Sequence, residues 1–271
     1  RNDDLLNDLD RPFANWREGC SVLICCNTVK RAQQAYLELK TRFTAAGLDS
    51  RNHLLLLHGR FNGKDRRDKE ALLAQRVGVR AQHRHPMVIV ATQVVEVSLD
   101  IDLDVLYTDP APLEALLQRF GRINRGRYYP KEMPLDQKLC PVFVYKQPLG
   151  EKESRPYDFR IIERSLAVLE QHYADRPIDE SQVTMMLGEM YQGTLLADWE
   201  RTYEGQARTF KASLDTIVPY QATDPELEKQ FYELFDGVEV LPKDSYTDWE
   251  TAADREGYLS ASQYLVSISW S

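Results

Sequence analysis

Apolar positions in the first 146 residues fall into short continuous runs separated by stretches with a helical repeat. SVLICC (21–26) is apolar except for its serine. A run of that length without alternation predicts a strand covered on both faces, as parallel sheets require. Val29, Ala32, Tyr36, Leu39, Phe43 and Ala46 then recur every three or four positions. They predict a helix capped by Asn27-Thr28 and stopped at Gly47. Further strands are predicted at 53–57, 87–91, 103–107 and 141–145, with a charged helix over 64–76 and another from about 112. Strand and helix alternate from 20 to 146, the pattern of a parallel α/β sheet with helices on both faces.

Beyond Lys146 the alternation fades. Phe159, Ile162, Leu166 and Leu169 predict a helix over 157–173, and Leu227, Phe231, Leu234 and Phe235 another over 225–235. Short strand-like runs lie at 238–241 and 264–269. Residues 1–18 are rich in Asp with little periodicity and read as a leading linker. The expected organisation is a linker over 1–18, an α/β lobe over 19–148 and a smaller, mainly helical accessory region over 149–271, with the boundary near Gln147-Pro148-Leu149-Gly150.

Composition adds two constraints. Apolar residues make up 43% of the 271, enough for a real core, and no apolar run approaches the ~20 residues of a membrane span. The net charge is -8, yet residues 1–130 hold 20 Lys and Arg against 16 Asp and Glu, while the rest holds 14 against 26. A basic first half facing phosphate and an acidic second half facing solvent or a protein fit that division. Cys20, Cys25, Cys26 and Cys140 contain no C-x-x-C pair, so no metal site is expected. Cys25 and Cys26 should point to opposite faces of a strand as small core residues in a reducing cytoplasm.

Candidate chemistry concentrates in PLEALLQRFGRINRGR (112–127). On a continuous helix at ~100° per residue, with Gln118 as zero, Arg122 falls at roughly 40° and Arg125 at roughly -20°. Leu113, Leu116, Leu117 and Phe120 fill the other side. Two guanidinium forks and an amide on one stripe suit a phosphoryl-transfer site completed by a neighbouring lobe. A solvated arginine-rich helix end is the plainer alternative. Gly121 inside the helix costs ~1 kcal/mol against alanine unless something must approach the backbone. Upstream, VIVATQVVEVSLDIDLDVLYTDPAP (88–112) brings Thr92 to the end of a buried strand, where it can offer its hydroxyl and amide to a nucleic-acid phosphate. Asp100 follows in a turn, able to accept from a ribose hydroxyl.

In this order the two segments resemble motifs V and VI of superfamily 2 helicases. ATQVVEVSLDID, then DPAP, then LLQRFGRINR is similar to the CRISPR-associated helicase-nuclease of type I interference systems, and ICCNTVKRAQ (24–33), LLHGRF (56–61) and FDGVEVLP (235–242) resemble other parts of that family. Gly59 stands where the family commonly has serine, and Asn124 where the DEAD-box form GRTGR has glycine. The resemblance implies a second RecA-like helicase lobe. It makes Arg122 and Arg125 arginine fingers for ATP, with Gln118 on the γ-phosphate or the attacking water, Gly121 beside the nucleotide and Asp100 on the ribose. Thr92, with Arg60, Asn27 and Thr28, would contact single-stranded DNA.

ATP with Mg2+ would then be held mainly by a first lobe, since no G-x-x-x-x-G-K-[ST] loop and no D-E-x-D or D-E-x-H run occurs in these 271 residues. The family's nuclease metal would sit on a further domain. On this reading the chain alone neither hydrolyses ATP nor cuts DNA, and an RNA-guided surveillance complex is the implied partner. The motor lobe of a restriction or repair translocase, and a passive docking module built on the acidic tail, are the alternatives.

Overall fold

The computed structural model describes residues 3–97, 99–125, 132–148, 150, 152, 154–178, 180–215 and 238–268. Its main sheet contains β1 (Val22–Cys25), β2 (Leu54–Leu57), β3 (Val88–Ala91), β4 (Val105–Thr108) and β5 (Val142–Val144), all parallel in the order β2-β3-β1-β4-β5. Helices α1 (Asp10–Arg17), α2 (Val29–Ala45), α3 (Gly63–Val77), α4 (Leu113–Phe120), α5 (Leu135–Lys138) and α6 (Phe159–Tyr173) accompany it. The fold is α/β and RecA-like.

Apart from Thr108 and Val144 at the ends of β4 and β5, the strand residues face one of two apolar layers. Val22, Ile24 and Cys26 meet α2 through Ala32, Ala35, Leu39 and Phe43. Leu23 and Cys25 face Leu73 and Val77 of α3, together with Val95, Leu99, Ile101, Leu103 and Ile123. Every fully buried aliphatic or aromatic side chain in these layers contributes about 1.5–3 kcal/mol. Cys25 and Cys26 lie in opposite layers as free thiols, and burial pushes the Cys25 thiol up to about 12.

Two expectations about the ends of the lobe change. Residues 3–17 are not an irregular linker: a turn at Leu5–Asp8 and helix α1 seat Leu5 and Leu9 wholly in the core, with Phe13 and Trp16 against Phe43. The many aspartates mask this apolar spacing. The Asp8 carboxylate accepts from the Tyr145 hydroxyl at 2.8 Å, and Asp4 pairs with Arg31 at 2.7 Å. The first compact unit also runs past 147–150 to Gln182, because α6 returns to α4, with Leu169 and Tyr157 against Ala111, Ala115 and Leu116.

The second compact unit covers residues 183–271. Its described part holds α7 (Val183–Met190), α8 (Gly193–Asp215), α9 (Tyr246–Glu256) and α10 (Tyr258–Ala261). The strand-like runs pair as an antiparallel hairpin of β6 (Val238–Val240) and β7 (Val266–Ile268). The helix expected over 225–235 lies outside the described residues. No helix among the described residues is long and apolar enough to cross a membrane.

Candidate functional site

Motif VI is not one continuous helix. α4 ends at Phe120, Gly121 caps it, and the chain turns through Asn124, whose φ of 57° is left-handed. Asn tolerates that region better than other side chains, so it replaces glycine here without forcing the backbone. The Asn124 amide nitrogen also donates to the carbonyl of Lys138 at 2.8 Å. The helical stripe expected for 118, 122 and 125 is therefore replaced by a turn.

The turn still brings the two arginines together. Arg122 donates from Nε to the carbonyl of Val95 (2.7 Å), from Nη2 to that of Glu96 (2.7 Å) and from Nη1 to that of Leu99 (2.9 Å). Arg125 donates to the same Leu99 carbonyl at 3.3 Å and lies 3.8 Å from the Asp100 carboxylate. Its backbone amide is fixed by Asp102 at 2.7 Å. Burial and the neighbouring Arg125 charge lower the pKa of Arg122, with Asp100 acting the other way. Arg125 is 44% exposed and Asp100 63%, so one guanidinium fork and a carboxylate face solvent beside the half-buried Arg122. Gln118 stands exposed on α4, outside the hydrogen bonds that join these three.

Gly121 does not answer to a tight neighbour within the chain. Its φ is -64°, and a Cβ there would meet only the carbonyls of Leu117 and Gln118 at an ordinary 3.5 Å. The cost of a mid-helix glycine does not apply, because the residue ends the helix.

The parallel register collects the other candidates at one edge. β1, β2 and β3 are neighbours whose last residues, Cys25, Leu57 and Ala91, pair directly. Asn27-Thr28, Arg60 and Thr92 follow those ends within three residues. Arg60 is exposed, with its amide held by His58 Nδ1 at 3.2 Å, and Gly59 beside it has open space where a serine would fit. Thr28 caps α2 through the amide of Arg31 and is half-exposed. Thr92 and Asn27 are only 3% and 2% exposed. Thr92 joins the sheet through its amide, which donates to the Leu57 carbonyl at 3.1 Å. The Asn27 side-chain amide donates to the Pro110 carbonyl at 2.7 Å, and its backbone amide donates to the Asp109 carboxylate at 3.0 Å. Both position the edge more than they face it.

Sequence reasoning missed Arg119. It is 0% exposed, and its five N–H groups have five acceptors. Glu96 Oε1 is at 2.9 Å, Thr108 Oγ1 at 2.7 Å, the Asp109 carbonyl at 3.2 Å, Asn27 Oδ1 at 3.2 Å and the Tyr157 hydroxyl at 3.3 Å. Burial disfavours its charge, and the fields of Cys25 and Glu96 more than offset that, leaving the pKa raised. The Cys25 thiol is itself protonated at neutral pH, so Glu96 is the partner that matters. The signal was present: on a helix Arg119 falls beside Ala115 and Leu116, at the border of the apolar face. Among the described residues, no group of His, Cys, Asp and Glu is placed to hold a metal ion.

A five-stranded parallel RecA-like sheet, with segments that resemble helicase motifs V and VI, is the architecture of a helicase lobe. Residues 18–128 match the family model described as CRISPR-associated nuclease/helicase Cas3, C-terminal. The CRISPR-associated endonuclease/helicase Cas3 of Escherichia coli (strain K12) is 38% identical over 146 residues, covering 51% of this chain and 16% of that protein. The crystal structure of T. fusca Cas3-ATP superposes with a TM-score of 0.61 at 27% identity, covering 80% of this chain and 26% of that one. A chain of a CRISPR RNA-guided surveillance complex, pre-nicking, superposes with a TM-score of 0.56 at 28% identity, covering 79% and 26%. Residues 18–128 are thus similar to the C-terminal helicase lobe of Cas3 nuclease/helicases, and the chain spans less than a quarter of the length of the curated relatives it matches.

Proposed function

We propose that this chain supplies the second motor lobe of an ATP-dependent superfamily 2 DNA helicase acting in type I CRISPR interference. The observation that carries the reading is the shared seat of Arg122 and Arg125 on the Leu99 carbonyl beside Asp100, open to solvent. Two fixed guanidinium forks suit the charge that spreads over γ-phosphate oxygens during transfer, and their carbonyl seat holds them without reorganisation at the moment of reaction. The T. fusca protein solved as Cas3-ATP supports nucleotide binding by an assembly of this kind.

ATP with Mg2+, when bound, supplies the phosphoryl group and its charge neutralisation, and the proposal assigns both mainly to a partner RecA-like lobe. Arg125, the more exposed fork, reaches the γ-phosphate, and Arg122 braces the turn and adds its charge. Gln118 orients the attacking water or meets the phosphate from α4, and Gly121 leaves the backbone open to the nucleotide. Asp100 accepts from the ribose. At the carboxyl edge of β1–β3, Arg60 and Thr28 contact the backbone of single-stranded DNA, with Asn27 and Thr92 fixing the loops that carry them. The nuclease metal belongs to a further domain, and an RNA-guided surveillance complex recruits the assembly, in line with the pre-nicking complex matched above. Work of this kind takes place in the cytoplasm, where the target DNA lies. By itself the chain is inactive on ATP and DNA.

The test is DNA-stimulated ATP hydrolysis by the assembly of this chain with its partner lobe. Arg122→Ala or Arg125→Ala should reduce turnover by about 10³-fold or more, the scale of an arginine finger. Undiminished turnover in both variants rules the finger assignment out. A double-stranded DNA translocase of the restriction or repair kind would instead be stimulated by duplex without a displaced strand.

A further inference from the structure

Arg119 is more than a buried ion pair, because its partner Glu96 serves both arginine groups. The Glu96 side chain takes the Arg119 Nε bond, and the Glu96 carbonyl takes the Nη2 bond of Arg122. Tyr157 closes the same cluster from a segment beyond β5. Its hydroxyl accepts from Arg119 at 3.3 Å, donates to Glu96 Oε1 at 3.4 Å and hydrogen-bonds the side chain of Gln93. Gln93 in turn donates to the Asn27 carbonyl at 2.7 Å, and Asn27 Oδ1 returns to Arg119. One closed circuit thus joins the residues after β1 and β3 to the carbonyl that seats Arg122.

We propose that Glu96, Arg119 and Tyr157 are positioning residues that transmit the state of the nucleic-acid edge to the finger Arg122. The inference rests on the motor-lobe reading above. Thr28 follows Asn27 and Thr92 precedes Gln93, so a phosphate drawn to that edge pulls on both ends of the circuit. A shift of Gln93 reaches Tyr157 and then Glu96. Because the Glu96 side chain and carbonyl belong to one residue, turning the first moves the acceptor of Arg122. The Tyr157 bonds to Arg119 and Glu96, at 3.3 and 3.4 Å, are longer than the Arg119–Glu96 and Gln93–Asn27 bonds at 2.9 and 2.7 Å and more readily broken and remade. Tyr157 lies outside the alternating strands and helices of the lobe, so the segment after β5 takes part in control and not only in packing.

Tyr157→Phe in the full-length helicase removes one hydroxyl and keeps the ring against Ala111 and Leu116. The expected result is an unchanged fold and a KM for ATP within about twofold. The ratio of DNA-stimulated to unstimulated kcat should fall by roughly three- to tenfold, the scale of one hydrogen bond. Glu96→Gln, of nearly the same shape, is the second arm and should lower that ratio further. A merely structural role would lower the melting temperature and leave the ratio alone. If either folded variant keeps the wild-type ratio while Arg122→Ala abolishes turnover, the relay is wrong and the motor reading stands. If Arg122→Ala and Arg125→Ala both keep full turnover, the motor reading and the relay fall together.

Discussion

Arg119 and Arg125 lie six residues apart on one motif and live in opposite surroundings. Arg119 is wholly buried with an acceptor for every N–H, and Arg125 stands half in solvent with one carbonyl and a distant carboxylate. The difference shows how one basic stretch divides its work. The buried guanidinium organises four segments around it, and the exposed one keeps its fork available to an anion. Charge alone does not mark a site. The accessibility of the charge does, together with what already satisfies it.

Arg119→Ala should break the buried side of that contrast most severely. It leaves Glu96 and several acceptors without their donor and should cost about 3–5 kcal/mol in chemical denaturation. Arg125→Ala should shift the same midpoint by less than about 0.5 kcal/mol, so equal losses for the two would erase the distinction.

His58 offers a milder probe of burial. Desolvation, reinforced by the Lys69 and Arg60 charges, holds its pKa below the ordinary 6.5. The unfolded chain therefore takes up the proton first as pH falls through 6.5, and the stability His58 contributes is present above that pH and lost below it. Denaturation midpoints between pH 7.5 and 5.5 should fall less steeply in His58→Gln; an identical slope would show that His58 is not the titrating group. Gly121→Ala probes the open side with the smallest effect. Room for a Cβ predicts a stability change within about 0.5 kcal/mol. Any loss of ATP turnover in that variant then reports a nucleotide close to the backbone, and no loss removes Gly121 from the site.

The sheet was readable because strands buried on both faces cannot hide. VLIC, LLLL, VIVA and VLYT are apolar or nearly so, and each became a strand. The pairing of Arg122 with Arg125 was also foreseen, though by the wrong geometry. A helical wheel has no means of seeing that Gly121 ends the helix and that carbonyls 95–99 gather the side chains. Arg119 is hidden in the sequence because a guanidinium at the border of an apolar face reads as polar, and Leu5 and Leu9 because aspartates surround them. In each case the deciding partner is distant in sequence: Glu96 for Arg119, Phe43 for Trp16, Tyr145 for Asp8. Thr92 and Asn27 were placed at the right edge, but their burial depends on strand register and on the Pro110 carbonyl, which no local pattern encodes.

The docked opening segment has a practical consequence. The family-model match begins at residue 18, yet Leu5 and Leu9 are wholly buried in the layer they share with Leu39, Phe43, Tyr107 and Tyr145. Trimming the polypeptide to the matched region would unroof one side of the sheet and leave a greasy surface in water. Residues 3–17 are therefore part of the lobe's own core and not a detachable leader.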